Sequence, residues 1–92
     1  MPVNITTIAK EFAITEEELI RKSLRAFLLE QLHLFDAERK ARCAKFSVKD
    51  LWEMEQLFVE GKVEEEEMLE DFQTVDYLTA RVKRVETMLE EV

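Results

Sequence analysis

Few side chains in this 92-residue sequence could do chemistry: there is one histidine, His33, and one cysteine, Cys43. Glu30 and His33 have the Glu-x-x-His spacing found in helical bundles that bind two metal ions. On a helix that turns about 100° per residue, however, both side chains would point away from the main apolar stripe of their helix. We therefore expect no metal site and no cofactor, and an exposed or interfacial position for His33.

Cys43 would need a neighbouring base to act as a nucleophile. His33 precedes it by ten residues, about 15 Å along one continuous helix, so the two cannot form a dyad within one chain. With a single glycine, Gly61, the sequence cannot form a glycine-rich phosphate loop or a nucleophile elbow. We expect a protein that is not an enzyme, with Cys43 as a small residue at a packing edge.

The composition predicts long helices joined by few turns. One glycine and one proline occur in a chain that is 47% apolar, against an ordinary usage of about 7% and 5%. We predict an all-α fold in a single domain, residues 1–92: a short N-terminal helix, one long helix, a middle helix and a C-terminal coiled-coil-like helix, assembled as a dimeric bundle.

Capping residues and apolar spacing predict the boundaries of these helices. Thr6 or Thr7 suits the start of the first, Thr15 with Glu18 forms a capping box, and Ser47 suits the start of the third. Gly61 is a natural left-handed helix end. The predicted helices span residues 5–14, 16–45, 48–60 and 64–92.

The long helix carries more apolar surface than one neighbouring helix can cover. One stripe would face a helix of the same chain and consists of Ile20, Leu24, Phe27, Leu28, Leu32 and Phe35. Other leucines fall outside this stripe and need a second partner. We expect a second copy there, with a dimer interface at Leu19, Phe27, Leu29 and Leu34.

The C-terminal helix carries an apolar seam of the kind seen in coiled coils. Its members are separated by three and four residues in turn and are Val75, Leu78, Val82, Val85, Leu89 and Val92. The same register extended backwards reaches Met68 and Asp71. Because Asp71 is charged, we expect the seam to begin after it.

Charge divides the chain into two unlike halves. Residues 1–46 contain 8 Lys and Arg against 7 Asp and Glu, whereas residues 47–92 contain 5 against 14. A net charge of −8 disfavours nucleic acid and anionic membranes but suits a basic protein. We predict that the acidic half binds such a partner through Trp52, Phe58, Glu64, Glu65, Glu66, Glu67, Phe72 and Tyr77.

The location of the protein is predicted from what its sequence lacks. The start Met1-Pro2-Val3-Asn4 has neither the basic residues nor the apolar core of a signal peptide, and no apolar stretch approaches the roughly 20 residues that span a bilayer. One cysteine cannot form an internal disulfide. We expect a cytoplasmic protein.

A DNA-reading function is the alternative for residues 7–24, which have the pattern of a helix-turn-helix. The second helix opens with three glutamates, where phosphate contacts would fall. Arg21, Lys22 and Arg25 come later and compensate only in part. A short helix folded back on a long one explains the pattern better.

Residues 15–92, which open with Glu18-Leu19-Ile20-Arg21-Lys22-Ser23-Leu24 after the cap, resemble a known class of protein. Phe46-Ser47-Val48-x-x-Leu51-Trp52-Glu53, Gly61-Lys62-Val63-x-Glu65 and Glu70-Asp71 are similar to segments of small helical prokaryotic proteins regarded as antitoxins of toxin–antitoxin pairs. Ser47 replaces the glycine usual in those proteins, which argues against a tight left-handed turn there. The resemblance implies no catalysis, a toxin as partner, and self-association.

These observations lead to one expected function and two alternatives. We predict a non-catalytic protein-binding module, an antitoxin that neutralises a basic toxin. A structural coiled-coil homodimer without a toxin partner, or a DNA-binding autoregulator acting through residues 7–24, are the alternatives.

Overall fold

The computed structural model describes residues 3–92, which form four helices. They are α1 (Ile5–Glu11), α2 (Glu16–Ala44), α3 (Leu51–Val59) and α4 (Glu65–Glu90). The predicted all-α fold and the order of a short, a long, a middle and a C-terminal helix are confirmed. Met1 and Pro2, part of the segment judged not to be a signal peptide, lie outside the described residues. No described helix is long and apolar enough to cross a membrane.

Helices α2 and α4 form an antiparallel hairpin that organises the molecule. Arg42 near the end of α2 contacts Asp71 near the start of α4, and Phe35 earlier on α2 contacts Arg81 later on α4. The seam of α4 faces α2 within the same chain, and its buried residues are Met68, Asp71, Val75, Leu78, Val82 and Val85. The buried seam therefore begins at Met68 and includes Asp71, so it starts two seam members before Val75, the predicted first member.

Three of the four helices end in the same left-handed turn, at Ala13, Ser47 and Gly61, where φ is 54°, 56° and 67°. After α2, the amide of Ser47 donates to the carbonyl of Ala44, and that of Val48 donates to Cys43. This pair of bonds is the Schellman motif. The expectation that Ser47 disfavours a left-handed turn is therefore wrong, and so is its assignment as a helix cap.

The starts of the helices are set by side-chain caps. At α1, the side chain of Asn4 accepts a hydrogen bond from the backbone amide of Thr7. Asn4 is therefore the cap of this helix, and not Thr6 or Thr7 as predicted. Thr15 accepts the amide of Glu18 at 3.0 Å, which confirms the predicted start of α2. Because Ser47 belongs to the turn that follows α2, the cap of α3 is Asp50, whose side chain accepts a hydrogen bond from the amide of Glu53. Helix α3 therefore begins at Leu51, three residues later than predicted. Likewise, the turn at Ala13 ends α1 at Glu11 and not at residue 14.

The main core lies at the end of the hairpin that α3 covers. It is built from Cys43, Met54, Met68 and Val75, surrounded by Phe46, Val48, Leu51, Leu57, Phe58, Val63 and Phe72. Helix α3 supplies Met54, which is fully buried. At this end α2, α3 and α4 pack their apolar side chains against one another, so the largest hydrophobic core of the described residues lies here.

The rest of the hairpin is long and thin. The molecule extends 60 × 27 × 16 Å with a radius of gyration of 19.2 Å, whereas a compact chain of this length has a radius of gyration of about 12 Å. Phe35 lies opposite Arg81, so α4, which ends at Glu90, runs alongside α2 only from about residue 26 onwards. The single apolar stripe predicted on α2 is therefore split: Leu28, Leu32 and Phe35 are half-buried, whereas Ile20, Leu24 and Phe27 are exposed.

Candidate protein-binding surfaces

A groove runs between the second half of α3 and the start of α4. Its lining is mostly apolar, with a glutamate from each helix, and consists of Glu55, Phe58, Val59, Val63, Glu65, Leu69 and Phe72. Val59 and Leu69 are exposed, whereas Phe58 and Phe72 are half-buried. The groove therefore has an aromatic floor and exposed aliphatic side chains within reach of another protein.

Local sequence explains how the chain passes from α3 into α4. Gly61 adopts the left-handed conformation that stops α3, and its missing side chain would meet nothing within 4 Å. The chain then turns into α4 through Val63, which packs against the core. Phe58 and Phe72 meet edge to face, with ring centroids 5.3 Å apart and planes at 79°, a favourable arrangement for aromatic pairs.

The groove lies in the most acidic part of the molecule. Residues 50–71 contain ten Asp and Glu against one basic residue, Lys62. Two of these glutamates pair with nearby lysines, Glu53 with Lys49 and Glu60 with Lys62. The others at the start of α4, Glu64, Glu65, Glu66 and Glu67, are exposed. Three of them occupy the first turn of the helix, where the dipole favours negative charge.

Asp71 contributes least to this outward negative charge. Its side chain is buried and accepts hydrogen bonds from Arg42 and Lys45. Burial alone would raise the pKa of Asp71, but the hydrogen bonds from Lys45 and Arg42 outweigh that effect and hold the pKa below its ordinary value of 3.8. The carboxylate is thus neutralised within the fold and links the two helices of the hairpin.

The structure brings together only some of the residues predicted to bind a partner. Phe58, Glu65 and Phe72 line the groove. Trp52 and Tyr77 are exposed but are not part of its lining. The sequence does not indicate Val59 and Leu69 as binding residues. Each directly follows a residue of the core and lies outside the apolar stripe of its helix, so its spacing does not mark it as part of a site.

A second apolar surface lies at the other end of the molecule, where α1 packs on the start of α2. A groove there is lined by Ile5, Ile8, Leu19, Ile20, Ser23 and Leu24. Of the residues predicted to form a dimer interface, Phe27 and Leu34 are exposed, whereas Leu19 and Leu29 are half-buried. Leu19 lines this groove, and Phe27 and Leu34 lie exposed farther along α2.

The residues weighed for chemistry lie apart from both grooves. His33 and Glu30 are exposed, and among residues 3–92 no three or more His, Cys, Asp or Glu side chains come close enough together to hold a metal ion. Cys43 lies in the main core, where burial raises the pKa of its thiol. Arg21, Lys22 and Arg25, which a DNA-binding role would need, are exposed on the first half of α2.

Comparison with known proteins places the chain in a family. A family model described as "Uncharacterized protein MJ0235 family" matches residues 1–92. A relative from Methanocaldococcus jannaschii, "Uncharacterized protein MJ0235", is 28% identical over 76 residues, which cover 83% of this chain and 93% of the relative. No solved structure matches the chain. Because the family model spans the whole sequence, the chain belongs to the MJ0235 family.

Proposed function

We propose that this protein is a non-catalytic, cytoplasmic binding module whose groove between α3 and α4 takes an apolar, positively charged segment of another protein. The composition of the groove is the observation that supports this proposal. Its lining includes two exposed aliphatic residues, Val59 and Leu69, together with the glutamates Glu55 and Glu65. Burial of such apolar side chains favours association, and surrounding charges of one sign speed association and select a partner of the opposite sign.

The partner segment that fits best is an amphipathic helix with lysine or arginine on its polar face. Such a helix lays its apolar side chains into a groove and keeps its charges at the rim. Here the rim would be Glu55 and Glu65, with the remaining glutamates of residues 64–67 directly beside it. In the specific form suggested by the antitoxin resemblance, the segment belongs to a basic toxin that this protein neutralises.

A synthetic amphipathic peptide with leucines on one face and lysines on the other tests the groove directly. We expect it to bind the full-length protein in fluorescence anisotropy, and a matched peptide with glutamates in place of lysines to bind far more weakly. Binding should weaken as salt is raised, because exposed charges are screened. Equal binding of both peptides would contradict the proposed charge selection.

Groove variants decide where such a segment binds. Leu69→Ala and the double change Glu55→Lys with Glu65→Lys should each weaken lysine-peptide binding by about tenfold, equivalent to about 1.4 kcal/mol. Trp52→Ala and Tyr77→Ala are matched controls, since both residues are exposed aromatics outside the groove. If the controls weaken binding and the groove variants do not, the partner surface lies elsewhere.

The antitoxin form needs a separate test in cells. The wild-type protein and the Glu55→Lys, Glu65→Lys variant would each be used to capture proteins from the native host. A basic protein retained only by the wild type would then be produced alone and together with each form. Growth arrest relieved by the wild type but not by the variant supports an antitoxin, whereas a captured protein without effect on growth supports a binding module of another kind.

A further inference from the structure

A regular row of residues on α2, apolar except for the half-buried Gln31, has its apolar members exposed. Ile20, Leu24, Phe27, Gln31 and Leu34 follow one another at intervals of four, three, four and three residues, and we call them the α2 seam. Its four apolar members are 45–59% exposed. This spacing averages 3.5 residues, with which two helices pack along their length. The α2 seam is distinct from the row that faces α4, which includes Leu28, Leu32 and Phe35.

Helix α4 adjoins this surface through Arg81 and Tyr77. The guanidinium group of Arg81 lies 5.5 Å from the centroid of the Phe35 ring, and Phe35 lies one helical turn after Gln31 of the seam. Tyr77, one turn before Arg81, is exposed. The uncovered surface is therefore a face of two helices, with an aromatic side chain on each, and it includes the rim of the groove against α1 at Ile20 and Leu24.

The size of this face is sufficient for a specific interface. With the axis of a pair near Phe27, residues 16–38 of α2 lie opposite their counterparts over about 34 Å, one helix or about 10 Å wide at first and about 20 Å wide where α4 runs alongside. The resulting area, roughly 1,100 Å² over both copies, exceeds the roughly 1,000 Å² expected of a biological interface. The molecule is only 16 Å thick here, so it lacks the second layer of helices on which most domains are built.

We propose that a second copy of this chain supplies that layer, packed antiparallel on the α2 seam about a two-fold axis near Phe27. Charge sets the direction. Residues 50–71, with ten acidic residues and one basic, lie at one end of the hairpin, and a parallel pair would place two such ends side by side. The antiparallel pair separates the two acidic ends and brings residues 1–46 of one copy close to residues 1–46 of the other, a segment that is almost neutral.

The two-fold axis gives the contact a specific form. Leu34 and Ile20 each lie seven residues from Phe27, so the axis places the second copy's Leu34 opposite Ile20. There it can enter the groove lined by Ile5, Ile8, Leu19 and Leu24. Symmetry repeats this contact at the other end of the seam, as in any interface made from the same patch on both copies.

Sedimentation of the full-length protein tests the association. We expect a dimer at tens of micromolar and a monomer for the double variant Leu24→Glu with Phe27→Glu. Because both residues are exposed in the single chain, the variant should keep its helical circular dichroism. Trp52→Glu, equally exposed but on α3, is the control and should remain dimeric. A monomeric wild type, or a dimer that survives the double change, overturns the proposal.

A distance measurement tests the direction. A spin label at Trp52→Cys lies at the acidic end, and the native Cys43 is buried and should not be labelled. From Phe27 to the end of α2 the helix has about 18 residues, or about 27 Å. Because the two-fold axis lies near Phe27, the two labels of the antiparallel pair are about twice that distance apart, roughly 50 Å. A parallel pair would hold them within about 30 Å, and this shorter distance would overturn the proposed arrangement. Neither outcome depends on the peptide-binding groove.

Discussion

Arg42 on α2 donates a hydrogen bond of 2.9 Å from Nη1 to Oδ1 of Asp71 on α4. Lys45 donates from Nζ to both carboxylate oxygens of the same aspartate, at 3.1 and 3.0 Å. Asp71 occupies a position of the α4 seam where an apolar residue would otherwise pack, and only 7% of it is exposed. The two cations offset the cost of burying this carboxylate and fix the end of α2 against the start of α4.

Removing the charge of Asp71 should destabilise the fold. Asp71→Asn keeps the shape of the side chain but loses the charge that binds both cations, and we expect the free energy of unfolding to fall by about 1–2 kcal/mol. Asp76→Asn is the control, because Asp76 is exposed on the same helix and should change stability by less than about 0.5 kcal/mol. Chemical denaturation at one fixed protein concentration measures both. An equal effect of the two changes would contradict a structural role for Asp71.

The contribution of Asp71 should depend on pH in a defined direction. Its hydrogen bonds hold the folded-state pKa below the ordinary value of 3.8, so the folded protein binds fewer protons than the unfolded chain in this range. The stabilisation is then fully present above the unfolded pKa and is lost as the pH falls through the folded pKa. The difference in unfolding free energy between wild type and Asp71→Asn should be complete at pH 7 and shrink below about pH 4. A difference that is constant from pH 7 to pH 3 would rule out this linkage.

The three left-handed turns predict stability changes of opposite sign. Ala13 and Ser47 adopt positive φ despite their side chains, which costs about 1–2 kcal/mol each relative to an ordinary conformation. Ser47→Gly relieves this strain but adds freedom to the unfolded chain, so we expect a net gain of about 0.5–1 kcal/mol. Gly61→Ala should lose about 1 kcal/mol from strain alone, since no atom lies within 4 Å of the new side chain.

Thermal unfolding of the two turn variants separates backbone strain from packing. Each kcal/mol corresponds to about 4–8 °C in a domain of this size, so Ser47→Gly should melt a few degrees above the wild type and Gly61→Ala below it. Ala13→Gly repeats the first test at α1. A lower melting temperature for both glycine variants would show that these side chains stabilise the turns in a way that φ does not reveal.

Local signals in the sequence were sufficient for some helix ends and insufficient for others. Thr15 and Gly61 could be assigned because one hydroxyl at a helix start and one glycine at a helix end act through their immediate neighbours. Ser47 was misassigned because hydroxyl residues favour helix starts, whereas here the packing of Val48 and Cys43 into the core imposes a left-handed turn on it. A tertiary contact therefore outweighed the local preference.

The split of the α2 apolar surface could not be predicted for a similar reason. Spacing along α2 shows which residues share a face, and it grouped Ile20 and Leu24 with Leu28. Which of them become buried depends on where α4 begins and ends alongside α2, and that register is set by distant pairs such as Arg42 with Asp71. The groove shows the same limit: aromatic character alone predicts Phe58 and Phe72, whereas Val59 and Leu69 belong to the groove only because the end of α3 lies beside the start of α4.

Cys43 should be unreactive in the folded protein. Only 1% of it is exposed, among Met54, Met68 and Val75, and burial raises the pKa of its thiol, so little thiolate is present near neutral pH. We expect a disulfide reagent to modify it slowly in buffer and rapidly in denaturant, with the slow rate set by opening of the core. Met54→Ala would leave a cavity beside the thiol and cost about 2–5 kcal/mol, so it should speed native-state modification strongly. Trp52→Ala, an exposed change on the same helix, should leave that rate unchanged, and fast modification of the wild-type thiol would contradict the position of Cys43 in the core.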